Sequence, residues 1–180
     1  MMQTDLTTRV AQASTAFFGA ICRGLADNRG AHLETTLTAA GYCAGAAMLR
    51  GTQVDLSKLP PGSPVFVDAV NEIGPMVFDT VFNLIERGGI EASTGSVKAV
   101  PPEHAALKTF EELLPIALPL FDATLAEFDI PIEMHPFVAA RTCAEIILAG
   151  KNQLHPAILK TIAAEAIMKG AKTVPPAKER

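Results

Sequence analysis

The sequence predicts an all-α protein: a single-domain bundle of about six helices, some of them kinked by proline. Three observations carry this. Apolar residues recur at steps of three and four along nearly the whole chain of 180 residues, which is the spacing of one helix face. No segment keeps the strict alternation of a half-buried strand between turn signals, and the nearest, "PVFVDAV", fits a helix better. Glycine and proline clusters punctuate the pattern at intervals that suit helices. A chain of this length removes roughly two thirds of its unfolded surface from water in one core, so no cofactor or disulfide is needed to explain its stability.

In the first helix Leu6, Val10, Ala13, Phe17, Ile21 and Gly24 form the apolar stripe, with Gln12, Arg23 and Asp27 off it. That is about six turns, ended by Asn28 and Gly30 of "DNRG". The second helix runs from about Ala31 to Arg50, with Leu33, Leu37, Ala40, Ala44 and Ala47 on one face and Gly41 and Gly45 beside it. Pro60, Pro61 and Gly62 break the chain, and Ser63 and Pro64 read as the cap and first position of a third helix.

That third helix carries the most regular stripe, Phe66, Val70, Ile73, Val77, Val81 and Leu84, reinforced by Phe78, Phe82 and Ile85. Its pattern predicts a central core helix, kinked where Pro75 follows Gly74. "ERGG" stops it, and "IEASTGSVKAVPP" reads as a connection or flexible loop. The fourth pattern, Leu107, Phe110, Leu114, Ala117, Phe121, Leu125 and Phe128, survives Pro115 and Pro119 because both share the outer face with Glu111 and Asp122. A bent helix, or two short ones, is expected there.

Two further helices follow Pro136 (Val138, Cys143, Ile146, Ile147) and Pro156 (Ile158, Leu159, Ile162, Ala166), separated by "AGKNQ" as in a helical hairpin. Residues 1–172 then form the one domain and residues 173–180 a flexible tail. No internal repeat of fixed period is present.

Composition narrows the function classes. Apolar residues make up 49 % and charged residues 19 %, which is globular rather than disordered. A net charge of -4 with scattered basic residues argues against nucleic acid as a partner, and there is no helix-turn-helix pattern. Cys22, Cys43 and Cys143 are an odd number at wide spacing, which fits reduced thiols in a cytoplasmic protein. The N-terminus "MMQTDLTTRV" lacks the basic start and apolar run of a secretory signal. The uncharged stretch from Thr35 to Leu49 is shorter than the roughly 20 apolar residues of a membrane span.

Catalytic and cofactor signatures are sparse. The chain has no ExxH or HExxH, no glycine-rich phosphate loop and no GxSxG elbow, so no cofactor, metal ligand or catalytic residue is named by motif. His32, His104, His135 and His155 have no carboxylate four residues away, and the histidines of "MHP" and "LHP" read as helix caps or surface residues. Cys43 lies mid-helix without a neighbouring cation to stabilise a thiolate, so it reads as a packed core thiol. Asp68, Glu72, Asp79 and Glu86 superpose after whole turns into one acidic stripe, read first as a solvated face and otherwise as a cation or basic-partner dock.

Two functional readings remain. One is a helical protein that acts by association, most simply as a homodimer, because its apolar helix faces exceed what one core requires. The alternative is a binder of a small apolar ligand, or an enzyme, with a pocket between the Phe-rich helices and "AAGYCAG"; Gly41, Tyr42, Gly45, Phe78 and Phe82 would line it. Gly41 and Gly45 each cost about 1 kcal/mol against alanine inside a helix. Something must therefore approach that face closely: the protein's own helix, a second copy, or a ligand.

Overall fold

The computed structural model describes residues 2–52 and 54–176, with residues 2–4 as backbone only. It is all-helical. The six helices are α1 (Met2–Leu25), α2 (Leu33–Arg50), α3 (Asp68–Arg87), α4 (Phe110–Glu127), α5 (His135–Gly150) and α6 (Pro156–Ala171), joined by short 3-10 turns.

The central helix is α2 and not α3. Every residue from Thr35 to Leu49 is buried, and each of the other five helices packs against α2. A helix enclosed on all sides must be uncharged and thin, which is what its run of Ala, Gly and Thr provides. Helix α3 instead packs on α5 and grazes α2 from the outside. Its inner stripe of Val70, Val77, Val81 and Ile85 is buried, while Asp68, Glu72, Asp79 and Glu86 all face solvent. The regular amphipathic pattern that suggested a core helix is the mark of a peripheral one, because only a helix with a wet side needs two faces.

The start of α3 also differs from expectation. Val67, not Ser63, precedes the helix, and Phe66 is 81 % exposed instead of lying on the stripe. Residues 62–65 are not helical, because they pair with the segment after α6. Val65 N–H donates to the Lys172 carbonyl at 2.8 Å, Val174 N–H to that of Ser63 at 2.9 Å, and Gly62 N–H to that of Val174 at 2.9 Å. Val174 is buried as a result. Thr173 and Val174, expected to belong to the flexible tail, are thus tied to the domain; residues 177–180 lie outside the described residues.

Helix α4 is continuous through Pro115 and Pro119, both exposed, so the absent amide protons and the carbonyls they would have met face water. It begins three residues after Leu107, where Thr109 accepts from Glu112 N–H and Glu112 returns the bond to Thr109 N–H at 2.8 Å, a capping box. Helix α4 packs on α1 and α2, so the two Phe-rich helices, α3 and α4, seal different sides of the molecule and enclose no common Phe-lined interior. Phe121 meets Phe17 of α1 with ring centroids 4.8 Å apart. Arg50 at the end of α2 pairs with Asp122 of α4. Glu145 of α5 accepts hydroxyl bonds from Ser14 at 2.7 Å and Thr15 at 3.2 Å of α1.

The thinned face of α2 has a definite neighbour: α6. A Cβ on Gly41 would lie 2.6 Å from Ala166 Cβ, and one on Gly45 would lie 2.3 Å from both Ala171 N and Ile167 O. The approach is reciprocal, since a Cβ on Gly170 would lie 2.5 Å from the Tyr42 carbonyl oxygen. Three glycines let two helix backbones touch, and the close packing offsets what they cost in helix propensity.

Candidate functional site

The chain between α3 and α4, residues 88–109, crosses the outside of α2 and α6 as a strap. A connection this long is uncommon in a compact domain, and such segments often carry function. Four side chains pin it. Val97 N–H donates to Thr161 Oγ1 at 3.1 Å and Val100 N–H to Glu165 Oε1 at 3.2 Å, both on α6. Leu107 N–H donates to Thr35 Oγ1 at 3.0 Å, and His104 Nδ1 lies 3.0 Å from Glu34 Oε1, both on α2.

Beneath the strap opens a groove of about 530 Å³, bordered by Tyr42, His104, Lys108, Ile162, Glu165 and Lys169. Tyr42 reaches it because α2 is so close to α6 there. The residue is only 7 % exposed, its ring meets Phe110 edge-on at 4.8 Å, and Lys169 Nζ sits 5.7 Å from the Tyr42 centroid and 5.5 Å from that of Phe110. Such a cation is attracted by the ring faces. No described residue accepts or donates a hydrogen bond at the Tyr42 hydroxyl, and that oxygen is not sealed from the groove. Burial, aided by the negative charge of Glu111, pushes the phenol pKa up. The group therefore stays protonated and can donate.

The partners at the strap's end fix the proton positions. Thr35 N–H donates to His32 Nδ1 from 3.4 Å, which caps α2 and makes that nitrogen an acceptor. The Thr35 hydroxyl that receives Leu107 N–H therefore directs its own proton there, across 2.8 Å. His32 in its neutral form then carries its proton on Nε2, which faces Glu34 Oε2 at 3.4 Å. The other carboxylate oxygen accepts from His104 Nδ1–H. Neutral His104 is left with an unprotonated Nε2, on a side chain 28 % exposed at the junction of two grooves. The second groove, about 470 Å³, lies on the far side of His104 and is bordered by Asp27, Arg29, His32 and Leu154.

The residues proposed from sequence for one pocket are dispersed. Tyr42 lines the strap groove. Gly41 and Gly45 do not line it; they face α6 at contact distance, so they leave no room for a ligand. Phe78 and Phe82 stack on each other with centroids 6.1 Å apart, and Phe82 borders a separate groove of about 370 Å³ near Lys160. Among the described residues no group of three His, Cys, Asp or Glu side chains is placed to hold a metal ion. Cys43 and Cys143 are fully buried, and burial pushes both thiols up, that of Cys143 to about 12, so neither forms a thiolate readily.

His155 caps α6 by accepting from Ala157 N–H at 3.2 Å, as read from "LHP". His135 does not cap; it lies inside α5, with Nε2 3.0 Å from the Ile130 carbonyl oxygen. Glu34 and His104 escaped the sequence reading because 70 residues separate them and no local spacing signals their meeting. The only local hint was "HLET", in which a capping histidine and a carboxylate stand two apart. No family model, curated protein or solved structure matches the chain.

Proposed function

We propose that the protein binds a small amphipathic anion in the strap groove, with the charged end at Lys169 and Lys108 and a polar atom at the Tyr42 hydroxyl. The observation that carries this reading is Tyr42 itself. A protonated phenol that opens into the groove, with no hydrogen-bond partner among the described residues, has its donor free for a ligand acceptor. The sign of the ligand follows from the neighbours. Glu165 is already engaged by Val100 N–H, whereas Lys169 is held over two aromatic rings with no ion-pair partner among the described residues. Val100, Leu107 and Ile162 supply the apolar wall, the usual composition of a small-molecule site.

The test is a fluorescence titration with 1-anilinonaphthalene-8-sulfonate, competed by octanoate. Tyr42→Phe should weaken the competition by about two- to tenfold, the value of one neutral hydrogen bond, and Lys169→Met by more, with far-UV circular dichroism unchanged. Equal affinity in both variants would overturn the reading.

Association of two copies is the second reading. It is favoured by Phe66, 81 % exposed, and by Met76, 53 % exposed, on the outer side of α3 and its approach. Single exposed apolar residues are ordinary on monomers, which places this reading second. Light scattering that reports a monomer at micromolar concentration would end it. The three unpaired cysteines accord with a reducing, cytoplasmic setting for either role.

A further inference from the structure

We propose that His104 is a general base and that the groove hydrolyses small carboxylic esters, an inference that rests on the ligand-binding reading above. The support is geometric. A general base needs a free lone pair at the substrate and a partner that fixes its tautomer and direction. His104 has both: Nδ1 donates to Glu34 Oε1 at 3.0 Å, so Nε2 presents the lone pair.

The partner is itself held. The Glu34 side chain is 13 % exposed, its second oxygen faces His32 Nε2, and His32 is fixed by Thr35, which in turn receives Leu107 N–H. Glu34 is thus held between two imidazoles, and its fixed position sets the direction and tautomer of His104. Anchoring the strap required only one hydrogen bond to His104. The two imidazoles that share Glu34 exceed that need, and His104 borders the same groove as the unpartnered Tyr42 phenol and the Lys169 ammonium.

The chemistry balances with water as the only co-reactant. His104 Nε2 takes a proton from a water molecule as its oxygen bonds to the acyl carbon. The carbonyl π pair moves onto oxygen, where Tyr42 O–H and the Lys169 charge stabilise it. The tetrahedral adduct collapses, the bond to the leaving alkoxide breaks, and the alkoxide receives the proton from His104. The products are an alcohol and a carboxylic acid, which ionises to the kind of anion Lys169 attracts. His104 and Tyr42 are the catalytic residues, while Glu34 and His32 are positioning residues.

The experiment uses the full chain with 4-nitrophenyl acetate and 4-nitrophenyl butyrate, alongside the anilinonaphthalene titration. The expected result is saturable release of nitrophenolate that rises with pH along one titration. His104→Asn keeps an amide N–H toward Glu34, so the strap anchor survives, yet kcat/KM should fall by at least about a hundredfold, the usual worth of a general base. Glu34→Gln should lower kcat with little change in KM and displace the midpoint of the pH profile, a readout that a merely structural role would leave in place.

Turnover equal in His104→Asn and the parent, or absent while the fluorescent probe still binds, would overturn the inference and leave the binding reading intact. Loss of both turnover and probe binding in the parent protein would refute both. His104-dependent turnover without probe binding would support the inference and limit the groove to neutral ligands.

Discussion

Substituting Gly45 by alanine tests the packing of α2 on α6 most directly, because two effects of known sign oppose each other. Alanine is the better helix former by about 1 kcal/mol, so on an open helix face the change would stabilise. At Gly45 the new methyl would stand 2.3 Å from Ala171 N, 2.3 Å from Ile167 O and 2.5 Å from Gly170 C, all backbone atoms that cannot rotate away. Overpacking usually costs about 1–3 kcal/mol, and an obstruction made of backbone belongs at the upper end. The net expectation is a loss of about 2 kcal/mol, or a fall in Tm of about 4–8 °C for a domain of this size. Gly19→Ala in α1 is the internal control, because a Cβ there meets only the flexible guanidinium end of Arg23, 3.2 Å away, so the variant should gain about 0.5–1 kcal/mol. Urea unfolding followed by far-UV circular dichroism measures both. A Gly45→Ala variant as stable as the parent would refute the claim that glycine is required for helix contact.

Three further expectations follow from single contacts. Asp122→Asn removes the charge that faces Arg50, and with both side chains about three quarters buried it should cost about 1–2 kcal/mol in the same unfolding assay. Thr109→Ala should lose about 1 kcal/mol by opening the capping box of α4, whereas Thr109→Ser should be nearly neutral. The buried thiols predict an alkaline limit: with the Cys143 thiol raised from 9.0 to about 12 and that of Cys43 raised as well, the unfolded chain releases these protons first. Stability is thus fully present below pH 9 and declines as pH climbs from there toward 12, by at most about 1.4 kcal/mol per pH unit for each thiol. Stability of a Cys43→Ala, Cys143→Ala variant across that range should decline less steeply.

Six helices and most of their bounds were legible because periodicity and breakers are local properties. Layer order was not. The strong two-faced pattern of α3 drew attention to the wrong helix, since amphipathicity measures how wet one side is, and the true centre, α2, has little contrast because it has no wet side. Gly41 and Gly45 announced a close neighbour, but sequence could not say which, as that depends on Gly170 and Ala171 arriving from α6. Phe66 was misplaced for a different reason: the chain just before it, residues 62–65, pairs with residues 172–174, more than one hundred positions away, and that pairing overrides the local cap signal of Ser63. The Glu34 and His104 contact was invisible for the same cause, a loop closure that no short window contains.

The helix contact and the groove are one feature. Tyr42 follows Gly41 on α2, and Lys169 precedes Gly170 on α6, so the glycines that allow the backbones to touch bring the ammonium over the phenol ring at 5.7 Å. A bulkier residue at either glycine would push Lys169 outward and open the ring face to water. The strap closes over this pair from the other side, held to α6 by Thr161 and Glu165 and to α2 by Thr35 and Glu34. Any change in the spacing of α2 and α6 must therefore stretch the strap's anchors as well. Gly45→Ala should weaken probe binding together with stability, although residue 45 borders no part of the groove. A variant that lost stability and kept full affinity would show that strap and helix contact are uncoupled.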